Sequence, residues 1–153
     1  MTDDGTDTAE HLQIEARRGH HDIGVEHLAG AALLDSAADE LEALLDESWE
    51  RIQKLSPDLR GLAEEGLGVM AVARDALPRS ILSDVAGWRE LGEPDRFLRV
   101  ARSFLLEEEA PGRNEKAWRP FHESFRRFVL TKLGAERARV LHSRMAGKLC
   151  QWP

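Results

Sequence analysis

The stretch that decides the fold is FLLEEEAPGRNEKAWRPF, residues 104–121. Ahead of it, apolar residues recur with the period of helices. Within FLLEEE that period is lost, APGRNEK is a turn tract, and AWRPF is short and aromatic. The pattern predicts two short strands joined by a turn, a β-hairpin. Three helices followed by a hairpin is the order of a winged helix-turn-helix.

The three helices can be read from their ends and stripes. SPDLRGLAEEGLGVMAVAR (56–74) opens with Ser56 placed as N-cap and Pro57 at the first helical position. Leu59, Leu62, Leu67, Met70 and Ala73 form its expected buried stripe, and Gly66 and Gly68 weaken its middle. LPRSILSDVAG (77–87) reads as a short helix with Ile81, Leu82 and Val85 inward, closed by Gly87. GEPDRFLRVARSFL (92–105) is the third, with Pro94 in its first turn and Phe97, Val100 and Ala101 inward. After the hairpin come a helix over 121–133, stopped by Gly134, and another over 135–150. Upstream, 27–55 is expected to be helical with a break near Asp35–Ser36, and Leu41, Leu45 and Trp49 share one face.

The expected fold is therefore mainly α: a winged-helix core with a small β-hairpin, flanked by N-terminal and C-terminal helices. The expected division is an acidic disordered tail (1–26), a helical segment (27–55), a winged-helix-like domain (56–133) and a C-terminal helix (134–153).

Composition excludes several classes. The 153 residues are 42% hydrophobic and 32% charged, as in an ordinary globular domain. One cysteine, Cys150, can make neither an internal disulfide nor a cysteine zinc site, and a reducing compartment is expected. No apolar run reaches the ~18–20 residues of a membrane span, and the start MTDDGTDTAE is the opposite of a signal peptide. The expected location is cytoplasmic. In HHDIGVEH, the residues His20, His21, Glu26 and His27 match no i,i+4 pair or zinc-finger spacing, so no metal site is expected.

Catalytic signatures are missing. There is no phosphate-cradling G-x-x-x-x-G-K-[ST] loop, no G-x-G-x-x-G after a strand and no G-x-S-x-G turn. The paired acids Glu64–Glu65 and Glu107–Glu109 are expected to face solvent. The chain is not expected to be an enzyme.

Charge is unevenly spread. The net −7 divides into −14 over residues 1–111 (25 acidic, 11 basic) and +7 over 112–153 (3 acidic, 10 basic). The basic rear is expected to face something negative: the acidic front, another domain, a nucleotide or a nucleic acid.

One motif joins that rear to a known family. WRPFHESFRRFVL (118–130) places His122 directly after the aromatic strand. At about 100° per residue, a helix begun at Phe121 would put His122 within the apolar face beside Val129, with Arg126 on its boundary. The stretch resembles the motif that ends the winged-helix domain of STAND-class signalling NTPases, the NACHT and NB-ARC group. ALLDESWERI, MAVARDALPRSIL and FLRVARSFLLEEE resemble, in order, the preceding segment and the winged-helix elements of that group, so the likeness covers roughly residues 38–150.

The resemblance implies that His122, and less directly Arg126 and Arg127, sense a nucleotide phosphate. ADP or ATP would be held only together with a nucleotide-binding domain, in cis or in trans, because that domain is missing here. HSRMAGKLCQWP is similar to the start of the helical repeat array that usually follows, so the chain is expected to be a fragment or one part of a split system. The function expected is a non-catalytic regulatory, signalling module that couples nucleotide state to conformation. The alternatives are a winged-helix DNA-binding transcription regulator and a helical protein-interaction domain. DNA is disfavoured by Glu93 and Asp95 beside Arg96, Arg99 and Arg102 on the third helix.

Overall fold

The computed structural model describes residues 35–151. The expectations for the tail, for the candidate ligands His20, His21, Glu26 and His27 and for a helix over 27–34 lie outside those residues. The chain divides into two compact units, Met1–Asp46 and Glu47–Pro153. The helix α1, residues 35–53, contributes Trp49 and the buried Ile52 to the second unit.

The second unit follows in the order α2 (Pro57–Val72), β1 (Leu77–Pro78), α3 (Arg79–Ala86) and α4 (Glu93–Ala101). A 3-10 turn (Arg102–Phe104) leads to β2 (Leu105–Glu109), β3 (Lys116–Pro120), α5 (Glu123–Leu133) and α6 (Ala135–Leu149). The fold is mainly α with one small antiparallel sheet in the strand order β1-β3-β2. That succession, with β3 of the hairpin coming back to pair with the first short strand, is a winged helix.

The hairpin closes as its sequence requires. Leu106 pairs with Arg119 and Glu108 with Ala117. At the tip, Arg113 N donates to Ala110 O at 3.1 Å across Pro111–Gly112, and Gly112 sits at φ +70°. Proline followed by a glycine at positive φ is the pair that a type II turn demands.

The segment 77–87 departs from the sequence expectation. It begins as a strand, Leu77 pairing with Trp118 and Pro78 with Ala117, and only then becomes α3. A residue before proline is pushed to extended backbone, so Leu77 cannot open a helix. Gly87 closes α3 at φ +73°, with Trp88 N donating to Ser83 O at 3.0 Å.

α2 is the centre. The sequence marks a stripe, yet Leu62, Ala63 and every residue from Gly66 to Val72 are buried. Leu59 is only half-buried. α2 packs against α3, α4, α5, α6 and β3. The two glycines that weaken its propensity make this possible. A Cβ on Gly66 would lie 2.7 Å from Phe97 Cζ, and one on Gly68 would lie 2.7 Å from Leu141 Cδ1 and 2.8 Å from Leu133 Cδ1. Two residues apart on a helix, they open nearly opposite faces.

A second cluster holds α5. Phe104 and Phe125 stack with centroids 4.9 Å apart, and Phe121 lies 5.6 Å from Phe125. Trp49 meets Phe128 edge-on at 6.2 Å.

Glycines on one helix should thus respond oppositely to alanine. Gly61 has nothing within 4 Å of its would-be Cβ, whereas the ring opposite Gly66 belongs to the fully buried Phe97. Gly61→Ala should raise stability by up to about 1 kcal/mol. Gly66→Ala should lower it, because overpacking costs about 1–3 kcal/mol and exceeds the propensity gain. Thermal melts of the two variants check the opposition.

Candidate functional site

The junction of β3 and α5 carries His122, Arg126 and Arg127, the three residues singled out in the sequence by resemblance. Pro120 ends the strand and Phe121 N donates to Phe104 O at 3.0 Å, anchoring the chain before it turns. The expected helix start at Phe121 is two residues early. His122 has extended backbone, φ −150° and ψ 149°, and stands as the N-cap of α5. Its ring is exposed rather than set into the apolar face. The wheel failed because His122 has no helical phase: it precedes the first helical residue.

The ring does work at that position. Ser124 N donates to His122 Nδ1 at 3.1 Å, satisfying one of the first N–H groups that a helix leaves without a partner. An accepting Nδ1 carries no proton, so the neutral ring bears its proton on Nε2. Nε2 makes no hydrogen bond among the described residues and, on an exposed residue, is left available as a donor.

The two arginines have different surroundings. Arg126 is half-buried and grips Glu123 through two bonds, Nε to Oε2 and Nη2 to Oε1, each 2.9 Å. Its Nη1 donates to Ala71 O at 2.9 Å, in the last turn of α2. Arg127 is exposed, with Nε 3.5 Å from Glu123 Oε1. The hydrogen bond from Arg126 holds the Glu123 carboxyl below its ordinary value; burial opposes it, and the charges of Arg126 and Arg127 and a hydrogen bond from Arg127 add to the lowering. Arg126 is pushed up, first by its hydrogen bond to Glu123.

The basic rear is largely matched within the chain. Arg113 pairs with Glu115 at 3.4 Å, Arg119 with Glu108 at 3.2 Å, and Lys116 with Glu107. Arg137 and Arg144, seven residues apart on one face of α6, both reach Glu65. Arg144 Nη1 also lies 3.3 Å from Val85 O. The expectation that Glu64 and Glu65 face solvent therefore needs correcting. The Glu65 side chain is only 13% exposed and ties α2 to α6, and Glu64 accepts from Gln53 Nε2 at 2.7 Å. The i,i+7 spacing of Arg137 and Arg144 puts both on one helix face, but nothing in it names Glu65 as their partner.

Elsewhere the surface is open. A cleft of about 520 Å³ is lined by Asp58, Glu65, Trp88, Glu90, Glu93 and Arg96. Its carboxylates are partly committed, since Glu93 Oε2 accepts from the backbone N of Arg89 and of Glu90. On α4, Asp95 is drawn to Arg79 at 2.8 Å, while Arg96 and Arg99 are exposed without an ion-pair partner among the described residues. No three His, Cys, Asp or Glu side chains come together as a metal site among the described residues. No helix there is long and apolar enough to cross a membrane.

Comparison of the chain with protein-family models, with curated proteins and with solved structures gives no match.

The capping geometry sets a measurable cost. His122→Ala should lower stability by about 1 kcal/mol, whereas His122→Asn, whose side chain also caps, should keep most of it. The Glu123 ion pair adds a pH signature. With the folded-state carboxyl below its ordinary 4.5, the stabilisation is complete above that pH and is lost as pH falls through the folded-state value. Urea melts of wild type and Glu123→Gln across pH 3–7 should therefore converge at the acid end.

Proposed function

We propose that the chain is a non-catalytic regulatory module, similar to the winged-helix region of STAND-class signalling NTPases. It couples the nucleotide state of a nucleotide-binding domain, in cis or in trans, to domain arrangement. The observation that carries this is the β3–α5 junction, where a winged-helix topology ends in an exposed histidine with one ring nitrogen committed and the other outward. Nε2–H donates to a phosphate oxygen of ADP held by the partner domain. The first turn of α5 adds its partial positive charge, and Arg127 a mobile cation. When the nucleotide is exchanged, the contact is lost and the module is released. The chain performs no hydrolysis, and the signalling role, the following helical array and a cytoplasmic location belong to the same proposal.

A DNA-binding regulator is the second reading, favoured by the exposed Arg96 and Arg99 on α4, the helix that enters the groove in DNA-binding winged helices. Glu107, Glu108 and Glu109 on the wing strand oppose it, since they would meet the phosphate backbone.

Purified chain should show no ATP or GTP turnover. Joined to a STAND-type nucleotide-binding domain, His122→Ala should weaken ADP retention by about tenfold or more, the factor for losing a charged hydrogen bond of about 1.5–3 kcal/mol. Unchanged retention contradicts the proposal. Duplex DNA binding that falls steeply with salt would replace it with the second reading.

A further inference from the structure

His122, Arg126 and Arg127 share a motif but not an environment. Arg126 is the one whose guanidinium is already spent. Its planar fork closes on the Glu123 carboxylate, and its remaining bond satisfies the carbonyl of Ala71, a fully buried residue. Ala71 lies one residue before the end of α2, where helix carbonyls lack intrahelical donors. Arg126 thus ties the last turn of the central helix to the first turn of α5.

The consequence falls on His122, which is held at two points of that first turn. Its carbonyl accepts from Arg126 N at 3.3 Å, and its ring accepts from Ser124 N. Any tilt of the turn moves both. We propose that Arg126 is a positioning residue that fixes the His122 ring as cap and outward donor, leaving His122 and Arg127 to meet a phosphate-bearing ligand; the ligand half rests on the phosphate-sensing function proposed above.

Charge and geometry agree with this division. A phosphate approaching Arg126 would have to displace a carboxylate held by two parallel bonds, the strongest arrangement open to a guanidinium. It would also strand the buried carbonyl of Ala71. Arg127, with its side chain 77% exposed and its Nε at 3.5 Å from Glu123, can swing to an anion without breaking a bond of that quality. Sequence alone cannot separate the neighbours, because both are arginines on the same turn.

Nuclear magnetic resonance of the full chain tests the positioning half without ligand. At pH 8, where imidazole is neutral, the His122 ring nitrogens of the wild type should report a proton on Nε2. Arg126→Gln should mix the two tautomers and speed Ser124 amide exchange about fivefold, the factor expected for a lost cap. Arg126→Lys, which reaches one of the two anchors, should recover part of both, and Arg127→Gln should change neither. Unchanged His122 and Ser124 signals in Arg126→Gln overturn the proposal. So does an equal rise in exchange along the whole of α5, which would mark a general strut.

Millimolar ADP, added to the chain joined to a STAND-type nucleotide-binding domain, then tests the ligand half. The His122 Nε2 signal should shift in the wild type and in Arg126→Lys, and shift markedly less in Arg127→Gln. Loss of the response in Arg126→Lys with the cap intact would make Arg126 the ligand and overturn the proposal. No response in the wild type would end the phosphate reading, while the first measurement still decides the positioning role.

Discussion

Everything in the second unit depends on how closely its neighbours can approach α2. A helix surrounded by four helices and a strand needs faces without bulk. Gly66 admits the ring of Phe97 from α4, and Gly68 admits Leu141 and Leu133 from the opposite side. Each glycine costs the isolated helix about 1 kcal/mol of propensity relative to alanine. The burial of Phe97, Leu67, Met70 and Leu141 is what that cost makes possible. The site inherits this frame, since Arg126 anchors the first turn of α5 on the carbonyl of Ala71 in the same helix.

How much of this was visible beforehand follows from which signals are local. Turn and cap chemistry is local, so the Pro111–Gly112 reversal, the Gly87 stop and the Pro57 start were legible. Short strands are not. Two residues, Leu77–Pro78, carry no periodicity, and they became a strand because β3 offered Trp118 and Ala117 as distant partners. The same limit hid the role of Gly66 and Gly68, which read as weakness until the facing side chains were known. At the β3–α5 junction, periodicity misplaced the His122 ring, since one extended residue before a helix looks like its first turn.

Charge gave a similar lesson. The +7 of residues 112–153 invites an external anion, yet Glu65, Glu107 and Glu108 from the acidic front of the chain take up much of it. The Glu107 and Glu108 pairs are exposed and contribute little stability individually. Their effect is on what remains outward. At the β3–α5 junction the residual donors are the His122 Nε2 and the loosely held Arg127, a smaller and more specific surface than the composition implied.

The dependence on close approach at α2 can be measured by a double-mutant cycle on Gly66 and Phe97. If the ring of Phe97 sets the requirement for glycine, the destabilisation caused by Gly66→Ala must shrink when the ring is replaced in Phe97→Leu. A coupling energy of more than about 0.5 kcal/mol in that direction is expected, the level above which contacting residues depart from additivity. Strict additivity of the two substitutions would contradict it.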